Sequence, residues 1–285
     1  MSPAPLHSAP EFRFDLAALD AALVGTAFAG NVHFAPVTDS TNTDALAAAR
    51  AGAPHGSVYF ADEQLAGRGR GDHAWHSTAG EGLYVSVLLR LAIPAAQLAL
   101  LPLAAGLAAA EAIDATTGLT VDLRWPNDLL MGTRKVGGIL VEARISPEDL
   151  PRTVSSPPHA VVVGIGINVH QRGFAPGLAT PATSLDLEAE RHAVAPASRQ
   201  ALLVALLKSL EDEAPGLADP AALQTIPLRV QLASTWVSGR SVQVHGPQAC
   251  TGITAGLDEN GFLLVDTDAG RVTVQTGGLR ARTQA

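Results

Sequence analysis

The 285-residue sequence predicts an α+β protein: a large domain built on a mixed sheet with helices around it, followed by a small C-terminal β barrel. Three observations carry this expectation. Strand-like runs recur between residues 31 and 169, alanine- and leucine-rich helical stretches flank them, and after Trp236 the texture changes to short alternating runs broken by turn residues. Hydrophobic residues make up 47% of the chain and charged residues 16%, which supplies a core and argues against a disordered composition. Single cores stop growing near about 250 residues, so one large and one small domain are expected.

Taken in order, residues 1–14 read as a flexible Pro/Ala/Ser-rich tail and Leu16–Val24 as an amphipathic helix. Asn31–Val37 alternates like a strand, Asp39-Ser40-Thr41 offers helix-capping side chains, and Asn42–Arg50 is alanine-rich helix. A strand at Ser57–Ala61 leads into a charged loop, Asp62–Ala79, and then a buried strand, Leu83–Leu89. Pro94–Thr117 reads as one long helix kinked at Pro102. Strands follow at Val121–Trp125, Leu129–Met131, Val136–Ala143 and Ala160–Val169, the last two separated by the Pro/Ser-rich stretch Ser146–Pro158. Helices at Pro196–Glu211 and Ala221–Leu232 close a domain over residues 15–233. Residues 234–285 form the barrel, with strands at Ser241–His245, Thr251–Ala255, Phe262–Asp266 and Arg271–Gln275 and turns at Asn260-Gly261 and Asp268-Ala269-Gly270. A unit this small leans on the larger domain for stability.

The net charge of −8 argues against a sequence-independent grip on nucleic acid. The longest uncharged apolar run, Leu98–Ala110, is shorter than the ~18 residues of a membrane span, and the N-terminal segment lacks a signal peptide's apolar stretch. A cytoplasmic location without membrane or nucleic-acid partners is therefore expected. The single cysteine, Cys250, makes no internal disulfide and no CxxC metal knuckle. Of 19 basic residues only Lys135 and Lys208 are lysine, which draws attention to a lysine set beside glycines.

No Gly-Lys-Ser/Thr of a phosphate-binding P-loop occurs, and Gly164-Ile165-Gly166-Ile167-Asn168 lacks the third glycine of a dinucleotide fold. That segment reads instead as a strand whose glycines let a ligand or another chain segment come close. In Gly67-Arg68-Gly69-Arg70-Gly71, glycines leave N–H groups to face a ligand and two arginines offer forks for carboxylate or phosphate. Alone, the loop reads equally well as an Arg/Gly turn in solvent. Trp75 follows and offers a flat wall for a purine, although a core tryptophan has the same look. Lys135 emerges from a turn onto a strand with Gly137 and Gly138 beside it. Upstream, Arg124-Trp125-Pro126-Asn127-Asp128 is a proline-fixed turn, where Asp128 either caps the turn or meets a phosphate-bound Mg²⁺. His73 and His76 lack clustered ligands and do not read as a metal site.

Together these pieces resemble the catalytic domain of biotin protein ligases, the class related to lipoate ligases and class II synthetases. The matching segments are Asp39-Ser40-Thr41-Asn42, Asp62-Glu63-Gln64 with Gly67–Arg70, Trp75, Arg124–Leu129, Arg134–Glu142, Gly164–Asn168 and Thr183-Ser184-Leu185, spread over about residues 30–215. The resemblance implies a class II synthetase-like mixed sheet with an SH3-like C-terminal barrel. It implies that Ser40, Thr41, Asn42, Gln64, Gly67, Gly69 and Gly138 line a biotin pocket together with Arg68, Arg70 and Lys135. It also implies that Arg68, Arg70, Trp75, Asn127, Lys135 and Asn168 hold ATP and the adenylate, with Lys135, Arg70 and Arg68 central to catalysis.

The implied reaction activates biotin as biotinyl-5'-AMP, Mg²⁺ acting mainly on the phosphates, with Asp128 as the candidate protein ligand. It then transfers biotin to a lysine of a biotin carboxyl carrier domain. Too few residues precede Asn31 for the winged helix of family members that double as repressors, so a monofunctional ligase without DNA binding is expected. The sequence departs from the family pattern at Gly71-Asp72-His73-Ala74, where further arginine is usual, and at Leu65, where threonine is usual. The alternatives are a lipoate or octanoate ligase on the same scaffold and a non-catalytic biotin- or acceptor-binding module. A strand edge near Ala160–Val169 is a candidate for pairing two subunits as a homodimer.

Overall fold

The computed structural model describes residues 14–71, 73–144, 159–218 and 220–282. The elements run α1 (Leu16–Ala22), β1 (Val32–Thr38), α2 (Thr41–Arg50), β2 (Ser57–Gln64), β3 (Gly82–Leu91), a 3-10 turn (Ala95–Leu100) and α3 (Leu101–Thr117). There follow β4 (Asp122–Arg124), β5 (Asp128–Met131), β6 (Arg134–Arg144), β7 (His159–Asn168), α4 (Leu185–His192), α5 (Arg199–Ala218), α6 (Pro220–Leu223) and α7 (Thr225–Ala233). The C-terminal unit holds β8 (Ser238–His245), β9 (Cys250–Leu257), β10 (Leu263–Thr267), β11 (Gly270–Val274) and β12 (Gly278–Ala281).

Seven strands form one sheet in the order β1-β2-β3-β7-β6-β5-β4. Only β1 and β2 run parallel; the other neighbours are antiparallel, which makes the sheet mixed as expected. Alternation along the central strands divides its residues between two faces. Val85, Val87, Ile139, Val163, Ile165 and Ile167 pack into the main apolar core with Leu101, Ala105, Ala108 and Leu203 of α3 and α5. The opposite face carries three cross-strand rows, Leu88–Val162–Glu142, Ser86–Gly164–Leu140 and Tyr84–Gly166–Gly138. Helix α2 covers the first row, with Ala45 against Leu88 and Val162. The other two rows floor the site described below.

The second sheet is antiparallel, in the order β11-β10-β9-β8-β12. It shares the apolar core of the first, since Trp236, Val237, Leu263 and Val265 belong to the same buried cluster as Leu100 and Leu103. The Trp125 indole N–H donates to Gly261 O at 3.0 Å, tying the Arg124–Asp128 turn to the β9–β10 turn. Asp122 accepts from the N–H of Thr235 at 2.9 Å and from its hydroxyl at 2.6 Å.

Several expectations need correction. β7 lies between β3 and β6 and has no free edge, so Ala160–Val169 cannot pair subunits. Pro102 does not kink a helix: the 3-10 turn ends at Leu100, and Pro102 sits in the first turn of α3, where its missing N–H costs nothing. Gln97–Thr117 is long and apolar enough by composition to cross a membrane, more than the Leu98–Ala110 run suggested, and over half of it is buried inside the protein. The helix expected at Pro196–Glu211 runs from Arg199 to Ala218, and Ala221–Leu232 resolves into α6 and α7. Helix α4 and strand β12 were not anticipated. α4 is short and mostly polar, and its N-terminal signal is Ser184, whose hydroxyl accepts from the N–H of Leu187 at 3.3 Å. Residues 1–13 of the expected tail and the Ser146–Pro158 loop lie outside the described residues.

Candidate active site

A cleft opens above the Ser86 and Tyr84 rows of the large sheet. Every predicted site residue lines it except Gly67, Asp128 and Asn168. Segments more than a hundred residues apart in the chain are thus brought to one place by the antiparallel order of β2, β3, β7 and β6.

At one end the cleft is a buried hydrogen-bond network. Ser40 takes the N-cap position of α2 with extended backbone, but its side chain makes no capping bond and stays at the cleft. The N–H and hydroxyl of Thr41 both donate to Gln64 Oε1, at 2.9 and 3.1 Å, and Gln64 Nε2 donates to the Ser77 hydroxyl at 2.7 Å. Asn42 Nδ2 donates to Glu142 Oε2 at 2.8 Å while its Oδ1 accepts from the Ser86 hydroxyl at 2.5 Å. Gly164 is what lets Asn42 settle on the sheet: a Cβ there would stand 2.0 Å from Asn42 Oδ1. Gly166 does the same for Trp75, whose Nε1 would lie 2.6 Å from a Cβ. The glycines of the Gly164–Asn168 segment therefore serve close approach, as the sequence suggested. The Trp75 Nε1–H itself is buried without a partner among the described residues.

The glycine-rich loop is a tight hairpin rather than an open cradle. Trp75 N donates to Gly67 O at 2.8 Å and Gly69 N to His73 O at 2.7 Å. The Gly69 N–H is thus committed within the loop, and Gly67 is glycine because Trp75 O and the Ser77 hydroxyl occupy the space of a Cβ, at 2.4 and 2.8 Å. Arg68 forms a two-pronged pair with Glu142, at 3.0 and 2.7 Å. Arg70 reaches the C-terminal unit, donating to Gly277 O and to the Thr276 hydroxyl, each at 2.7 Å. Burial pulls the Arg70 guanidinium below its ordinary value, an effect that nearby Asp128 opposes.

At the other end stands Lys135. A β-bulge between Leu129 and Leu130 on β5, opposite Gly137 and Lys135, leaves Val136 unpaired. Regular alternation sends residues three apart to opposite faces; the bulge brings the Lys135 Nζ over Gly138, 3.2 Å from the position of a Cβ. The ammonium lies 2.5 Å from Asp128 Oδ1 and 5.5 Å from the centre of the Trp75 ring. The other oxygen of Asp128 takes Arg124 at 2.5 Å. Burial by itself raises the Asp128 carboxyl, but the two cations outweigh it and hold it below the usual carboxylate range. Both Asp128 oxygens are taken by these cations, so the carboxylate is paired within the protein rather than open as the expected Mg²⁺ ligand role requires. Its work is to hold Lys135.

Asn127 donates to Ile139 O at 2.7 Å and keeps the Arg124–Asp128 turn against β6. Asn168 is buried at the end of β7, outside the cleft, and donates to Thr183 O at 2.9 Å. Sequence reasoning missed Ser86, Ser77, Tyr84 and the pairing role of Glu142. A polar Ser86 inside the apolar run Leu83–Leu89 was the available signal.

Comparison with known proteins gives a consistent answer. Residues 34–168 match the model of the Biotin/lipoate A/B protein ligase family, and residues 237–277 match the Biotin protein ligase C terminal domain. The bifunctional ligase/repressor BirA of Bacillus spizizenii is 40% identical over 151 residues, 52% of this chain but only 44% of that protein. The biotin--[acetyl-CoA-carboxylase] ligase of Mycobacterium tuberculosis is 35% identical over 254 residues, covering 84% of this chain and 85% of the relative. Among solved structures, the biotin protein ligase of Aquifex aeolicus in complex with biotin and ATP superposes with a TM-score of 0.70 at 27% identity, covering 90% of this chain and all of that one. With both characteristic domains matched in order and a relative 35% identical over 84% of this chain, the chain belongs to the biotin protein ligase family.

Proposed function

We propose that this cleft joins biotin and ATP into biotinyl-5'-AMP and then passes the biotinyl group to a lysine of a biotin carboxyl carrier domain. The observation that carries the reading is the meeting, in one cleft, of the Thr41–Asn42–Gln64–Ser86 network with Arg70 and Lys135. The network offers donors and acceptors in a buried setting, which suits the ureido ring of biotin. A lipoyl dithiolane or an octanoyl chain brings no partners to such groups, and sites built to hydrogen-bond a ligand reject analogues that cannot.

At the opposite end a biotin carboxylate oxygen attacks the α-phosphorus of ATP; a P–O bond forms and diphosphate leaves. Arg70 and Lys135 offset the negative charge that crowds together in that step. The Arg68 fork joins them when it leaves Glu142 for an incoming carboxylate or phosphate. The mixed anhydride then meets an acceptor ε-amine, which attacks the carbonyl; the amide forms, AMP leaves and the proton passes to solvent. Trp75 and the Gly67–Ala74 hairpin cover the floor of the cleft and shield the anhydride from water. No enzyme nucleophile takes part, in keeping with Cys250 lying on β9 of the C-terminal unit. ATP use and a single unpaired cysteine suit a cytoplasmic setting.

Transfer is tested by incubating the protein with labelled biotin, ATP and a purified carrier domain. Label on the wild-type carrier and none on a carrier whose acceptor lysine is replaced by arginine is expected. A protein that binds biotin but leaves both carriers unlabelled is a binding module, and the reading fails.

A further inference from the structure

The environment of Lys135 extends beyond the cleft. Its main chain is bracketed by a strap, residues 180–183: Lys135 N donates to Pro181 O at 2.7 Å and Thr183 N donates to Lys135 O at 2.9 Å. The strap is pinned at one end by the Thr180 hydroxyl, which accepts from Arg124 at 2.8 Å. At the other end Asn168 Nδ2 holds Thr183 O. One further group grips strap and strand together. Glu188, in the first turn of α4 and only 2% exposed, accepts from Arg134, next to Lys135, at 3.1 and 3.2 Å. The same carboxylate accepts from the Thr183 hydroxyl and from Arg191. Burial raises its carboxyl, and the Arg134 and Thr183 hydrogen bonds, with the charges of Arg134 and Arg191, reverse this and keep it ionised.

We infer that Glu188 is a positioning residue for adenylation: by stapling Thr183 to Arg134 across the Lys135 backbone, it fixes the height and direction from which the Lys135 ammonium enters the cleft. An ionised side chain buried to this degree is costly unless its oxygens are satisfied, and here its partners are Arg134, the residue before Lys135, Thr183, whose N–H donates to Lys135 O, and Arg191. The bulge at Val136 breaks the ladder to β5 immediately after Lys135, so the staple supports Lys135 beside a local irregularity of the sheet. Glu188 touches no substrate and acts through Lys135. The inference rests on the role of Lys135 proposed above.

The chain contains two lysines, Lys135 and Lys208, so reductive methylation with ¹³C-formaldehyde leaves two lysine signals to follow by NMR, assigned with a Lys135→Arg variant. Lys208 is exposed on α5 and serves as the internal control. In Glu188→Gln the Lys135 signal is expected to shift and broaden while the Lys208 signal stays in place. In unmodified protein, kcat for biotin-dependent pyrophosphate exchange falls roughly tenfold to a hundredfold, as expected when a reacting group is misplaced by about an ångström. KM for biotin stays within about twofold, because the ring is held by the separate network around Gln64. Thr183→Val, which removes one arm of the staple at constant volume, gives the same pattern more weakly, and Thr183→Ser restores it. A folded Glu188→Gln protein with normal kcat, equal movement of both lysine signals, or a rise in biotin KM matching the fall in kcat overturns the inference. A wild-type protein with no exchange overturns the ligase reading instead, and the Lys135 signal still decides whether Glu188 holds that side chain.

Discussion

Arg70 donates to the main-chain carbonyl of Gly277 at 2.7 Å, joining the glycine-rich loop to a segment 207 residues further along the chain. The C-terminal sheet thereby holds the loop whose Arg70 lines the cleft, although its own residues do not line it. Thr276→Val removes the second bond from Arg70 and leaves the sheet's core untouched. We expect KM for ATP to rise about threefold to tenfold, the size of one typical net hydrogen bond of roughly 0.5–1.5 kcal/mol, with the melting temperature within a degree or two of wild type. Steady-state exchange kinetics at varied ATP check this, and an unchanged KM contradicts the coupling.

Asp128→Asn releases Lys135 from its partner and leaves both Lys135 and Arg124 without the charge that anchors them. Adenylation is expected to fall by about 10²-fold, comparable to removing one preorganised donor from a charge-stabilising site. Single-turnover formation of biotinyl-5'-AMP is the measurement. A variant that adenylates at the wild-type rate would remove Asp128 from the account.

The same residue makes a stability prediction. The folded carboxyl of Asp128 lies below its ordinary value of 3.8, so its contribution is fully present above that pH and is lost as pH falls through the lower folded value. Urea midpoints measured from neutral pH down to about 3 should drop more steeply for wild type than for Asp128→Asn. Parallel curves would mean that the carboxyl is not held down by Lys135 and Arg124.

Gly164→Ala tests the floor of the cleft. The added methyl meets the Asn42 side chain at 2.0 Å and displaces it from Ser86 and Glu142. Overpacking of this kind costs about 1–3 kcal/mol, and biotin affinity is expected to fall tenfold or more, at about 1.4 kcal/mol per factor of ten. Isothermal titration with biotin, in the absence of ATP, reads the effect directly.

Much of this arrangement was legible in the sequence because single residue types carried strong local signals. Apolar runs marked β3 and β7, Gly137-Gly138 and Gly164–Gly166 marked close approach, and Lys135 stood out against a chain that otherwise uses arginine almost throughout. What escaped depends on partners distant in the chain. Nothing local to Glu142 or Glu188 reveals that Arg68 or Arg134 will pair with them. The glycine-rich loop was read as presenting free N–H groups, yet the Gly69 N–H donates to His73 O, and Trp75 N donates to Gly67 O, in a hairpin. The register break at Val136, which turns Lys135 toward Gly138, is a property of the pairing of β5 with β6 and has no composition of its own. The misplaced free edge at Ala160–Val169 has the same origin: strand order is set by tertiary pairing, and β7 enters the middle of the sheet.

The central claim, that the cleft activates biotin as its adenylate, is tested most directly by ATP–pyrophosphate exchange with biotin, lipoate and octanoate supplied in turn to the wild-type protein and to Lys135→Ala. The account predicts exchange with biotin alone, reduced by at least about 10²-fold in a folded Lys135→Ala protein. Exchange driven by lipoate or octanoate but not biotin, or a Lys135→Ala protein that exchanges at the wild-type rate, would contradict it.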